Sequence, residues 1–172
     1  MRKMKSALLF LVVTLAGGWG VAAAEPAPPT PAVPAIALLT LTTMPTGWQS
    51  RVDLRPMLEV YPDGRAVKTP DAIAADRAPD TPPQRLNGAV PLDVLNAALG
   101  EIRALSTVDL GMPSATDQGS QIIDVMPEQA DQDVHLIMYA PELTEGLTTE
   151  QQTARQRFTD LYRKLVDSFV QS

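Results

Sequence analysis

The chain closes with an amphipathic segment, residues 148–169, which reads TTEQQTARQRFTDLYRKLVDSF. Thr148 and Gln151 fit a capping box, in which a hydroxyl and an amide side chain satisfy two N–H groups that the helix leaves unpaired. Apolar residues then recur at helical spacing, at Ala154, Phe158, Leu161, Tyr162, Leu165, Val166 and Phe169. We assign the charged residues Arg155, Asp160, Arg163, Lys164 and Asp167 to the opposite face. This mixture of charges predicts a long helix packed on a domain core rather than a basic helix lying on a membrane.

Upstream of this helix, short apolar segments separated by turn residues predict strands. Pro62, Asp63 and Gly64 favour a tight turn, because proline presets the backbone, aspartate bonds nearby N–H groups and glycine accepts positive φ. Residues 91–105 repeat leucine and isoleucine at helical spacing and predict a first helix. The predicted strands are residues 36–44, 57–61, 65–68, 121–126 and 134–139, with a further short one at 85–90.

The order of these elements, β–ββ–α–ββ–α, predicts an α+β fold. We expect a small antiparallel sheet of about four to six strands, with both helices packed on one face. Strands and helices do not alternate singly, so a doubly wound parallel sheet is not expected. Residues 36–172 are long enough for a single domain. Residues 69–84 contain four prolines and predict an unusually long loop, of the kind that is either functional or mobile.

The first 24 residues have the pattern of a cleaved export signal. Arg2, Lys3 and Lys5 precede an apolar run, and Ala22 and Ala24 supply the small residues that a signal peptidase requires. We expect cleavage before Glu25, so that the protein acts in the periplasm or outside the cell. Residues 25–35 are almost entirely proline, alanine and threonine and predict an extended spacer.

Charge and cysteine content exclude several classes of function. The 172 residues include 14 Lys and Arg against 20 Asp and Glu, and loss of residues 1–24 changes the net charge from −6 to −9. Such an acidic chain disfavours nucleic acid and, after signal cleavage, anionic membranes. There is no cysteine, which removes disulfides, thiolate nucleophiles and iron–sulfur ligation. We expect no cofactor, no nucleic-acid partner and a monomer, with an extracytoplasmic protein as the possible partner.

Catalytic motifs are absent from the sequence. His135 is the only histidine, and no Gly-x-Ser-x-Gly elbow accompanies it, so we expect a strand residue rather than a catalytic base. Asp109, Asp117 and Asp124 lie near one another in the sequence, and paired carboxylates can act as acid and base in hydrolysis. They also suit ordinary turn formation, which we favour. We therefore assign no catalytic, cofactor-binding or metal-binding residue.

The preferred hypothesis is an exported, non-enzymatic binding or inhibitor-like module. Trp48 is the only tryptophan outside residues 1–24, and it suits either a core or an interface. Our candidate binding surface consists of Trp48, Asp76, Asp80, Asp117 and His135. The alternative is a small extracytoplasmic hydrolase that uses the carboxylates near Asp109, Asp117 and Asp124.

Three short motifs resemble those of uncharacterised exported bacterial proteins. These proteins share a Tyr-x-Asp-Gly hairpin, an intervening helix and a Thr-Asp-x-Gly loop. The matching residues here are Tyr61–Arg65, Thr116–Ser120 and the strand at Val134–Leu136 before the last helix. The resemblance covers residues 54–168 and implies the same order of segments, without implying an activity.

Overall fold

The computed structural model describes residues 36–78 and 80–172 of the chain. The signal peptide predicted for residues 1–24 and the spacer predicted for residues 25–35 lie outside these residues. Among the described residues, neither helix combines the length and apolar character needed to cross a membrane.

Seven strands form one antiparallel sheet. They are β1 (Leu39–Met44), β2 (Leu58–Val60), β3 (Arg65–Lys68), β4 (Leu86–Ala89), β5 (Ser120–Val125), β6 (Val134–Tyr139) and β7 (Val170–Gln171). The spatial order is β6-β5-β1-β2-β3-β4-β7, and every neighbouring pair is antiparallel. The long strands β1 and β5 therefore sit within the sheet, whereas β6 and the two-residue β7 form its edges.

Two helices complete the fold, as the sequence predicted. Helix α1 spans Leu92–Leu105, and helix α2 spans Thr149–Asp167. The predicted capping box at the start of α2 is present: the Gln151 N–H donates to the Thr148 hydroxyl, and the Thr148 N–H donates to the Gln151 side chain. At the other end, α2 ends at Asp167, and the N–H of the capping residue Ser168 donates to the carbonyl of Lys164.

Both helices pack on the same face of the sheet. Pairing places Leu39 beside Val60 and Val125, and Leu41 beside Leu58 and Ile123, so these side chains share one face. They form a single core with the buried apolar residues of the helices, which include Leu95, Ile102, Phe158 and Leu165. The other face, on which neither of the two described helices packs, carries side chains such as Thr40, Glu59, Asp124 and His135, and we call it the helix-free face. The predicted α+β architecture is thus correct.

The predicted number and order of strands match only in part. The observed order is β–ββ–β–α–ββ–α–β, because β4 is a full member of the sheet and β7 follows α2. Phe169, which the sequence pattern assigns to the helical stripe, lies beyond α2, where its ring contacts the Lys68 ammonium group (5.6 Å to the ring centre). The chain then turns, and Val170 pairs with Ala89.

The connections are distributed unequally between the two ends of the sheet. At one end, residues 61–64, 90–91, 126–133 and 168–169 make mostly short turns. At the other end, four longer connections leave the strands and helices: residues 45–57, 69–85, 106–119 and 140–148. We call this second end the loop end, and we number its loops one to four in chain order.

Candidate functional site: the loop end

An ion-pair network joins loops one and two. Asp53 in loop one is 8% exposed, and its carboxylate accepts hydrogen bonds from Arg51 (2.7 and 2.9 Å) and from Arg77 of loop two (2.8 Å). Arg77 also donates to the main-chain carbonyls of Asp53 and Thr81. Hydrogen bonding from the Arg51 guanidinium lowers the pKa of Asp53 to about 2. The carboxylate therefore stays ionised and keeps the two loops together at neutral pH.

The proline-rich loop two is consequently tied to the domain along its length. Arg51 donates to the carbonyls of Ile73 and Ala74. The Asp71 carboxylate accepts the N–H of Gln84, which closes the base of the loop. Ala72, within the loop, is fully buried. These contacts are those of a segment held against the domain rather than of a freely mobile one.

A buried arginine joins loops three and four. Arg155 of α2 is 3% exposed, and it donates to the carbonyls of Leu110 in loop three (3.3 Å) and Ala140 in loop four (2.6 Å), and also to that of Tyr139 (2.8 Å). Burial lowers the pKa of this guanidinium from its usual value. Three carbonyl dipoles partly compensate the loss of hydration.

Our sequence-based placement of Arg155 on the polar face of the last helix was therefore wrong. Arg155 lies three residues before Phe158 and seven before Tyr162, so it falls on the buried face. The spacing alone is compatible with this position, but arginine is rarely buried unless its donors are satisfied, and here the satisfying carbonyls come from loops distant in the sequence.

Close packing also joins loop three to loops one and four. A methyl group on Gly119 would overlap the carbonyl oxygen of Met44, just before loop one, so only glycine permits this approach. The Ala140 N–H donates to the Gly119 carbonyl (2.8 Å). The Tyr139 hydroxyl donates to the carbonyl of Ala115 and accepts the N–H of Gln118. All four loops are thus connected through hydrogen bonds or tight contacts.

The loop end also exposes large apolar side chains. Val52 in loop one is 87% exposed, and Met112 in loop three is 77% exposed. Neither of them belongs to the core.

Four of the five residues in our candidate binding surface lie on these loops. Trp48 is half-buried in a short 3-10 turn of loop one, outside the core. Asp76 and Asp80 are exposed in loop two, and Asp117 is exposed in loop three, where it adopts a positive φ of 57°. His135 lies elsewhere: it is exposed on the helix-free face and pairs with Asp124 of the neighbouring strand.

The three aspartates considered for hydrolysis occupy different environments. Asp109 accepts the N–H of Gly111 and the side-chain amide of Gln151, and these hydrogen bonds lower its pKa. Asp117 lies at a bend of loop three. Asp124 lies on the helix-free face, four positions along β5 from Ser120 at the loop end, which is about 13 Å at the rise of a β-strand. Hence Asp124 lies apart from loop three, which carries Asp109 and Asp117.

Metal-binding side chains are also dispersed. Within residues 36–78 and 80–172, no group of three His, Asp or Glu residues lies close enough to hold a metal ion.

The sequence signals identified acidic loop residues, but not Asp53 with its two arginines, because Arg51 and Arg77 are far apart in the chain. No protein-family model, curated protein or solved structure matches this sequence.

Proposed function

We propose that this protein is an exported, non-enzymatic binding module, and that the loop end is the surface with which it recognises a protein partner. An inhibitor that covers its target would need the same kind of surface. The observation that carries the proposal is the preorganised loop end, where the Asp53 and Arg155 contacts hold four loops on one rigid sheet.

Preorganisation is the physical reason to favour binding. A loop that is ordered before association loses less conformational entropy when a partner arrives. The long loops of this protein are fixed by side chains that are themselves buried, namely Asp53, Arg77 and Arg155. Such anchoring contributes to stability, but it also leaves Val52 and Met112 exposed in defined positions.

The arrangement of carboxylates supports binding over hydrolysis. Acid–base catalysis needs two carboxylates that reach the same bond. Asp109 is engaged by Gly111 and Gln151, whereas Asp124 lies on the other side of the sheet from the helix that carries Gln151. We therefore place function in the surface of the loop end rather than in a catalytic pair.

Affinity capture with two matched double variants tests this proposal. Val52→Ser with Met112→Ser removes apolar surface from the loop end, and Leu92→Ser with Val170→Ser removes it from the opposite end. The mature protein and both variants are immobilised and incubated with extracytoplasmic extract. We expect a protein to be retained by the wild type and by the Leu92/Val170 variant, but not by the Val52/Met112 variant. Equal retention by all three, or none by the wild type, would contradict the proposal.

Export is tested separately, because the support for it comes from residues 1–24 alone. The full gene is expressed with a C-terminal tag, and the protein is purified from the cell envelope and the culture medium. N-terminal sequencing should begin at Glu25. Intact Met1 on membrane-bound protein would show that the signal is retained.

A further inference from the structure

We infer that the outer edge of β6 is an acceptor site for an extended, basic peptide segment of another protein, which would add to the sheet as an eighth strand. This surface runs along the edge of β6 and meets the loop end only at Glu142 of loop four, and the inference does not depend on the function proposed there. It rests on the hydrogen-bonding pattern of β6, the exposure of Ile137 and the charges beside the strand.

The pairing of β5 fixes which main-chain groups of β6 face outward. The Ala140 N–H donates to Gly119 of the segment leading into β5, and the Met126 N–H at the other end of β5 donates to Leu38 beside β1. Groups on a central antiparallel strand point alternately to its two neighbours. With the observed register, Val134, Leu136 and Met138 therefore bond to β5, whereas His135, Ile137 and Tyr139 direct their groups away from it.

This edge is open over its central part. Across the described residues, no partner is found for the outward N–H and C=O groups of His135 and Ile137. The Tyr139 carbonyl accepts a hydrogen bond from Arg155, which holds the C-terminal end of β6. The part of the β6 edge that is available for pairing with another strand is thus centred on Ile137.

The sequence of β6 lacks the usual protection of an edge strand. Natural edges are shortened, or carry lysine, proline or a bulge, to prevent pairing with other chains. The opposite edge, β7, has only two residues. In contrast, β6 has six residues, VHLIMY, without lysine or proline, and Ile137 is 49% exposed. An added strand would cover this isoleucine.

The charges flanking β6 favour a basic occupant over a second copy of this chain. Asp131 and Asp133 precede the strand, and Glu142 follows it. An antiparallel copy centred on Ile137 would place Gln132 opposite Glu142, with Asp131 and Asp133 one position to either side. Negative charges brought this close at both ends of the pair repel one another. Lysine or arginine residues at both ends of an incoming strand would instead meet opposite charges.

Two synthetic peptides of equal length test the inference. KKTVTVTKK has basic ends around an alternating strand core, and EETVTVTEE is its acidic control. Each is titrated into isotopically labelled protein while main-chain amide resonances are followed by NMR. We expect the basic peptide to shift the His135 and Ile137 amides and to slow their hydrogen exchange, and the acidic peptide to leave them unchanged. Shifts confined to other regions, or no shifts, would overturn the inference, as would dimerisation of the protein through β6 in the absence of peptide.

Variants at Ile137 separate strand addition from general charge attraction. Ile137→Pro removes an outward N–H without removing a bond to β5, a position where edge strands accept proline. It should reduce peptide affinity at least tenfold with little change in the urea midpoint. If it fails to fold, Ile137→Lys provides the second test, with Leu92→Lys, at an exposed residue outside both proposed surfaces, as a control of equal charge. Loss of binding in Ile137→Lys but not in Leu92→Lys supports the site, whereas equal loss in both contradicts it.

Discussion

At the scale of single residues, buried polar groups organise the loops and buried apolar groups hold the helices on the sheet. Phe158 and Leu165 are fully buried on one face of α2. Asp53 and Arg155 are almost as deeply buried, but most of their partners come from loops. Replacing residues of the two kinds should therefore have different consequences, the first for global stability and the second for the loops.

The core residues of α2 give the first prediction. Phe158→Ala and Leu165→Ala each leave a cavity and should lower the free energy of unfolding by about 2–5 kcal/mol. Lys164→Ala, on the exposed side of the same helix, should change it by no more than about 0.5 kcal/mol. Urea titrations of the three variants measure these differences. Coincident curves for all variants and the wild type would disprove the assignment of the core.

The pKa of Asp53 gives the second prediction. Because folding lowers this pKa to about 2, from about 3.9 in an unfolded chain, the ionised carboxylate stabilises the folded state at pH 5 and above. This contribution should disappear as the pH falls from about 4 to about 2. Asp53→Asn lacks it at every pH. Urea midpoints of the two proteins should therefore differ most above pH 5 and converge near pH 2, and a difference independent of pH would refute the prediction.

At the scale of elements, the C-terminal strand depends on a single small residue. Gly88 of β4 lies against the carbonyl oxygen of Val170 and the ring of Phe169, and a methyl group there would overlap both. In contrast, a methyl group on Gly100, in the middle of α1, would meet no atom within 4 Å outside its own helix. The two glycines therefore allow matched substitutions with opposite expectations.

We predict that Gly88→Ala detaches β7 while α2 remains in place. Carboxypeptidase should remove residues 170–172 faster from this variant than from the wild type. Gly100→Ala should leave β7 attached and increase stability by about 0.5–1 kcal/mol, because alanine is the better helix former. Equal digestion rates for Gly88→Ala and the wild type would show that β7 does not require this glycine.

The sequence predicted those elements whose signals are local. The capping box at Thr148 and the apolar stripe located α2, and the Pro62-Asp63-Gly64 turn located the β2–β3 hairpin. β7 was missed because two residues carry no alternating pattern, and its position follows from space left by Gly88. The Asp53 network was also missed, since charged residues from separate loops give no periodic signal. The site could thus be predicted in part, through its exposed loop residues, but not through its anchors.

At the scale of the whole molecule, the two ends of the sheet have different constructions. One end has mostly short turns, and the other has four long loops tied together by buried side chains. The chain as a whole carries a net charge of −6, so both proposed surfaces would associate most readily with partners of low or positive charge. Rigidity of the loop end is the property on which the proposed function depends.

Amide hydrogen exchange of the wild-type protein and Asp53→Asn, resolved by NMR, tests that rigidity most directly. The N–H groups of Gln84, Gly111 and Gln118 donate to Asp71, Asp109 and Tyr139, respectively. In the wild type, we predict that these amides exchange much more slowly than those of an unstructured chain. In Asp53→Asn, exchange of Gln84 should accelerate, whereas Gly111 and Gln118 remain protected. Exchange of all three wild-type amides at the rate of an unstructured chain would contradict the preorganised loop end and, with it, the proposed binding surface.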